Sequence, residues 1–196
     1  GGGNAAFCAA LSAQEQGARV LVLERAPEDE AGGNTRFTAG NIRFAYRGVE
    51  DLREIMPDLT EDEIAITDFG TSTEDQFFDD MFRVTRNRTD PNLCEILVRR
   101  SFGTMKWLRG KGVRFVPIWG QQAFKIDGRF RFWGGLTVAA WGGGPGLVQA
   151  ETDAAKKRGI EIRYATRAQK ILTDGFRVEG VRVKSPGRIY DIKAPC

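Results

Sequence analysis

Histidine is absent from all 196 residues, which removes the commonest metal ligand and the commonest general base from this chain. Cysteine is scarce: Cys8, Cys94 and Cys196 lie far apart, are odd in number and match no paired metal spacing. No disulfide framework is expected from them, and their use points to a reducing, cytoplasmic compartment. No apolar run approaches the ~18 residues needed to span a bilayer, and no signal-peptide pattern stands at the start. An excess of charge is missing too. With 29 Lys and Arg against 26 Asp and Glu, the net charge of +3 argues against a nucleic-acid partner. Internal repeats and low-complexity tracts are also absent.

What remains is an ordinary soluble composition, 41% hydrophobic and 28% charged, with enough apolar residues for a sizeable core. The carboxylate-rich stretch 50–80 and the basic stretch 83–114 read as solvated helix faces. Periodicity predicts a helix over 5–16, with Phe7, Ala10, Leu11 and Gln14 near helical spacing and Gly17 as its stop. The apolar, β-branched run RVLVLE at 19–24 predicts a buried parallel strand. It is followed by a polar loop, PEDEAGGNTRFTAGNIRFAY.

From 46 to 112 the pattern is helical, with helices over 74–86 and 91–109, the second capped by Asp90 and carrying Pro91 at its first position. Asp127-Gly128 between alternating segments signals a two-residue hairpin. After WGGGPG a helix runs to Arg158 and a strand covers 160–164. Strands at 167–172, 176–184 and 188–194, separated by Asp174-Gly175 and Pro186-Gly187, form a small meander. The fold class is therefore α/β: a Rossmann-like α/β part over 1–45 and 142–196, interrupted by an α+β insert over 46–141.

Gly1-Gly2-Gly3-Asn4-Ala5-Ala6 matches the dinucleotide fingerprint G-x-G-x-x-G/A. Gly1 permits the tight turn, Gly3 lets the backbone approach a pyrophosphate, and Ala6 lets the helix pack closely while its N-terminal N–H groups face phosphate. Glu24, at the end of the next strand, stands where a ribose diol would be accepted, and an acid there disfavours a 2′-phosphate. Arg25 beside it is ambiguous. GGNTRFTAGN at 32–41 then replaces the helix that a nicotinamide-binding Rossmann domain usually begins here. Its backbone, Asn34 and Thr35 are suited to a pyrophosphate and to the polar edge of a flavin ring. A solvated surface loop is the plainer reading of the same composition.

Together, Gly1 to Ala6, Glu24-Arg25 and Gly32 to Asn41 resemble the FAD-binding half of the fumarate reductase and succinate dehydrogenase flavoprotein family. GGGNAAFCAALSAQEQGARVLVLERAP with GGNTRFTAGNIR is most similar, within that family, to the FAD-dependent tricarballylate dehydrogenases. The resemblance covers nearly the whole chain, including GGGPGLVQAETDAAKKRGIEIRYATRAQKILTD. It implies that Gly1, Gly3, Asn4, Ala5 and Ala6 meet the FAD pyrophosphate, and Glu24 and Arg25 the adenosine ribose. It further implies that Gly33, Asn34, Thr35, Thr38, Ala39, Gly40 and Asn41 flank the phosphates and isoalloxazine. The backbone of Ala168 matches a position that meets adenine. The cofactor is expected to be non-covalent FAD, and a histidine-linked flavin is excluded in a chain without histidine.

The resemblance also implies a first strand before Gly1, and the rest of the cap and the proton-handling arginine beyond Cys196. The chain then reads as a fragment of a protein more than twice as long, inactive alone and prone to self-association through its open sheet edges. Arg129 and Arg131 on the hairpin read as solvent-facing, and no catalytic residue or metal ligand is assigned. The expected activity is hydride transfer between a small polycarboxylate and flavin, with the electron acceptor unassigned. Two alternatives stay open: a non-redox flavin- or nucleotide-binding protein, whose flavin no carboxylate or artificial acceptor would reduce or reoxidise, and an NAD-linked Rossmann dehydrogenase, which would prefer nicotinamide to FAD.

Overall fold

A computed structural model describes residues 1–194; Cys196, with its place in the cysteine count, lies outside the described residues. In chain order the elements begin with α1 (Asn4–Glu15) and β1 (Leu21–Leu23), followed by two 3-10 turns at Glu28–Glu30 and Gly33–Phe37. Next come β2 (Asn41–Ile42), α2 (Val49–Ile55), α3 (Glu61–Ala65), β3 (Thr67–Asp68), α4 (Glu74–Thr85) and α5 (Pro91–Gly110). Then follow β4 (Phe115–Pro117), α6 (Trp119–Gln122), β5 (Ala123–Ile126), β6 (Arg129–Phe132) and β7 (Val138–Ala140). The chain closes with α7 (Gly143–Lys157), β8 (Glu161–Arg163), β9 (Arg167–Thr173), β10 (Val178–Ser185) and β11 (Arg188–Lys193). Its contacts divide it into two units, Gly1–Phe37 with Val148–Cys196, and Thr38–Leu147.

In the first unit β1 and β8 pair in parallel, Val22 opposite Ile162. The predicted strand 19–24 is shorter as observed, because only Leu21 to Leu23 lie in register with β8. The pairing nonetheless runs on: Glu24 donates its N–H to the Arg163 carbonyl at 2.9 Å, and Thr166 donates to the Glu24 carbonyl at 2.8 Å. Helix α1 buries Phe7, Ala10 and Leu11, an i, i+3, i+4 stripe. It ends where Gly17, at φ +84°, allows Ala18 to donate back to the Ala13 carbonyl. Strands β9, β10 and β11 form the antiparallel meander, with Val183 fully buried.

The second unit holds two three-stranded sheets, ordered β2-β7-β4 and β3-β6-β5. Asp127 and Gly128, both at positive φ, make the turn between β5 and β6, as their mirror-image turn type requires. The helices α4 and α5 pack through Phe77, Cys94 and Val98, with Phe78 and Met81 against them. Their outer faces carry the expected solvated charges, among them Arg99 paired with Glu74 at 3.2 Å and with Glu95 at 2.9 Å. Arg131 is exposed and paired with Asp68 at 3.2 Å. Helix α7 starts inside the glycine run rather than after it. Pro145 occupies its first turn, where the missing N–H costs nothing, and a Cβ on Gly146 would stand 1.9 Å from the Trp141 carbonyl oxygen. Among the described residues, no helix is long and apolar enough to cross a membrane.

Candidate dinucleotide site

The turn into α1 is built from backbone. Gly3 caps the helix in an extended conformation, and no side chain bonds to the cap position. No acidic residue stands in the first turn, so the positive end of the helix dipole meets no carboxylate of its own helix there. Asn4 donates its N–H to Thr35 Oγ1 at 3.1 Å, which ties the 33–37 turn to the helix start. The approach is close: a Cβ on Gly3 would lie 3.1 Å from that hydroxyl and 3.2 Å from the Gly32 carbonyl oxygen. Nothing lies within 4 Å of a Cβ at Gly1.

Glu24 is the buried anchor of this turn, only 6% exposed. Its Oε2 accepts the Gly2 N–H, and its Oε1 accepts the Ala26 N–H at 2.7 Å. A Cβ on Gly2 would stand 3.1 Å from the same carboxylate. Each bonded oxygen keeps a second lone-pair direction, so the carboxylate still has acceptors for a diol. Backbone donors at a helix N-terminus, an acceptor-only carboxylate beside them and open space at Gly1 fit the adenosine diphosphate half of FAD.

The structure thus brings Gly1, Gly3, Asn4, Ala5, Ala6, Glu24 and Thr35 together. Arg25, Gly33 and Asn34 are exposed alongside. Ala168 lies on β9 opposite Val183 and is exposed. Thr38, Ala39, Gly40 and Asn41, expected with the dinucleotide-binding part, fall in the second unit, because β2 pairs with β7. There Gly40 donates to Thr38 Oγ1 at 3.2 Å and its carbonyl accepts the Ala140 N–H at 2.9 Å. Asn41 Nδ2 donates to Gln121 Oε1 at 2.9 Å, while its buried Oδ1 has no hydrogen-bond partner among the described residues.

Two residues beside the turn escaped the sequence reading. Cys8 is only partly buried. Its Sγ lies 3.2 Å from Asn4 Oδ1 and 3.6 Å from Glu151 Oε1. Burial, reinforced by the Glu151 carboxyl, pushes the thiol up to about 12, making it an inert thiol. Glu151 on α7 is 0% exposed, and its burial raises it to about 7 against a smaller opposing effect of the Cys8 bond. Its signal was present in the sequence: Leu147, Glu151, Ala154 and Ala155 share the buried face of one helix, and a glutamate in such a stripe needs a reason. Among the described residues, no group of His, Cys, Asp and Glu could hold a metal.

The family model described as FAD binding domain matches residues 1–195. The chain belongs to this family of FAD binding domains. FAD is accordingly its dinucleotide. Over 191 residues it is 28% identical to the fumarate reductase (cytochrome) of Shewanella frigidimarina, covering 97% of this chain and 30% of that protein. It is 26% identical to the NADH:fumarate oxidoreductase of Klebsiella pneumoniae, covering 93% of this chain and 17% of that one. The fold is similar to that of a flavocytochrome c3 fumarate reductase in its open conformation, with a TM-score of 0.71, 24% identity, and coverage of 98% of this chain and 30% of that one. This FAD binding domain therefore spans less than a third of the length of those fumarate reductases.

Proposed function

We propose that the chain is the FAD-binding part of an FAD-dependent oxidoreductase of the fumarate reductase and succinate dehydrogenase type, acting on a small polycarboxylate in a cytoplasmic setting. The observation that carries this reading is the α1 N-terminus with Glu24 buried beside it, in a chain matched along 1–195 by the FAD binding domain model. Gly1, Gly3, Asn4, Ala5 and Ala6 hold the pyrophosphate, Thr35 fixes the turn that faces it, and Glu24 with Arg25 holds the ribose. The reading extends to Gly33, Asn34, Thr38, Ala39, Gly40, Asn41 and Ala168 through the sequence resemblance alone. FAD, when bound, supplies a two-electron hydride acceptor or donor. The chain's own contribution is to fix the dinucleotide and neutralise its phosphates with backbone donors, and no residue of this chain is assigned to proton transfer.

Tricarballylate is the specific substrate we propose, on the similarity of the glycine turn and the 32–41 loop to tricarballylate dehydrogenases. The test is to load the full-length protein that contains this chain with FAD and follow flavin absorbance on adding tricarballylate or succinate with an artificial electron acceptor. Bleaching by tricarballylate, with turnover when acceptor is present, is the expected result. Bleaching by succinate alone would move the substrate assignment, and failure to take up FAD would overturn the whole reading.

A further inference from the structure

Glu151 poses a chemical problem that the FAD reading leaves unsolved. A carboxyl group with no exposed surface, one oxygen against a thiol and the other, Oε2, without a hydrogen-bond partner among the described residues, is costly to keep ionised. Neutral, it becomes a hydrogen-bond donor. Cys8 lies between it and Asn4, and a thiol has one hydrogen to give. If Glu151 carries a proton, its O–H donates to Cys8 Sγ, the thiol hydrogen is left for Asn4 Oδ1, and the chain of donors runs one way. If Glu151 is ionised, it draws the thiol hydrogen to itself and Asn4 Oδ1 loses its donor.

We propose that Glu151 is a positioning residue for the dinucleotide: protonated, it works through Cys8 to hold the Asn4 carboxamide with its oxygen inward and its Nδ2 hydrogens available to the FAD pyrophosphate. This rests on the FAD reading above. Asn4 is the first residue of α1, so its amide and the helix dipole act on the same anion. Ionisation of Glu151 has two effects of the same sign, releasing Asn4 and setting a negative charge behind a turn that binds phosphate. Cys8, from α1, is the titratable group that acts on Glu151, and its own thiol stays protonated because burial pushes it up to about 12.

The experiment measures FAD dissociation constants by flavin fluorescence at about pH 6 and about pH 8.5 for the wild type, Glu151→Gln and Cys8→Ala. The wild type should bind about tenfold more weakly at the higher pH, a factor equivalent to one unit of linked pKa. Glu151→Gln, which keeps a donor and cannot ionise, should hold the tighter affinity at both. Cys8→Ala, which cuts the relay, should bind weakly already at the lower pH. A second readout needs no flavin: the infrared carbonyl band of a protonated carboxyl should be present in the wild type at about pH 6 and missing in Glu151→Gln. FAD binding with a flat pH profile, a pH dependence retained in Glu151→Gln, or no such band would each overturn the proposal. Absence of FAD binding by the wild type at either pH would instead overturn the FAD reading on which it stands.

Discussion

Gly40 packs backbone to backbone on Gly143: a Cβ built on Gly40 would stand 2.7 Å from the Gly143 carbonyl carbon and 2.9 Å from its Cα. Gly40 also sits at φ +73°, so it is held by space and by conformation at once. Gly159 separates the two effects, since its φ is +72° with nothing within 4 Å of an added Cβ. Gly159→Ala should cost about 1 kcal/mol, the strain of a left-handed alanine. Gly40→Ala should cost about 3 kcal/mol, because the Gly143 backbone must also move. Urea unfolding midpoints of the two variants check the difference, and equal costs would deny the close approach.

Glu24→Ala should weaken FAD binding by between about tenfold and about a hundredfold, the range for losing hydrogen bonds to a charged acceptor. It should also lower stability by about 1–3 kcal/mol, because the N–H groups of Gly2 and Ala26 both bond to this carboxylate. Glu24→Gln keeps one acceptor oxygen and should recover part of each loss. Titration of FAD into the three proteins, with thermal unfolding of each without FAD, tests both effects.

The helices and the meander were legible because their punctuation is local. Asp90, Pro91 and Asp127-Gly128 act within a few residues, and the observed α5 and the β5–β6 turn lie where those residues put them; β10 begins at Val178 rather than 176, because Phe176 and Arg177 still donate their N–H groups to the Asp174 side chain. The glycine turn was legible for the same reason, since Gly3 and Glu24 are read by type and spacing. The start of α7 was not, because WGGGPG carries the composition of a loop, and only the closeness of Gly146 to the Trp141 carbonyl explains glycine there. The placing of Thr38 to Asn41 was hidden too, because it depends on β2 pairing with β7, about a hundred residues later. Cys8 and Glu151 meet across a separation of 143 residues, a contact that no local pattern announces.

Glu151 should make stability fall as pH rises. Its folded value of about 7 lies above the ordinary value of 4.5, so between those two values the unfolded chain has released a proton that the folded chain keeps. Stability then decreases with pH across that window and levels off above about pH 7. The full loss is about 3 kcal/mol, from roughly two and a half units at 1.36 kcal/mol each. Below about pH 4.5 the group is protonated in both states and contributes no slope. Glu151→Gln should remove this part of the profile, which urea unfolding at intervals between about pH 4.5 and about pH 8 will show. An unchanged slope in the variant would mean that Glu151 does not titrate in this range.

Asp90 accepts hydrogen bonds from the N–H groups of Asn92 and Leu93 at 2.9 and 3.0 Å, satisfying two of the donors that the first turn of α5 leaves without helical partners. Asp90→Ala should therefore cost about 1 kcal/mol, whereas Asp90→Asn, which keeps the accepting oxygen, should cost a few tenths. Arg99 offers a contrast on the same helix, with two carboxylate partners and a side chain 58% exposed. Water screens those pairs and holding the long side chain costs entropy, so Arg99→Met should cost less than about 1 kcal/mol. That smaller loss should shrink further in about 1 M salt, while the Asp90→Ala loss, which comes largely from short hydrogen bonds, should change less. Urea unfolding in low and high salt, followed by the fluorescence of Trp107 on α5, ranks the two. A larger cost for Arg99→Met than for Asp90→Ala would mean that the charged face, rather than the cap, holds this helix.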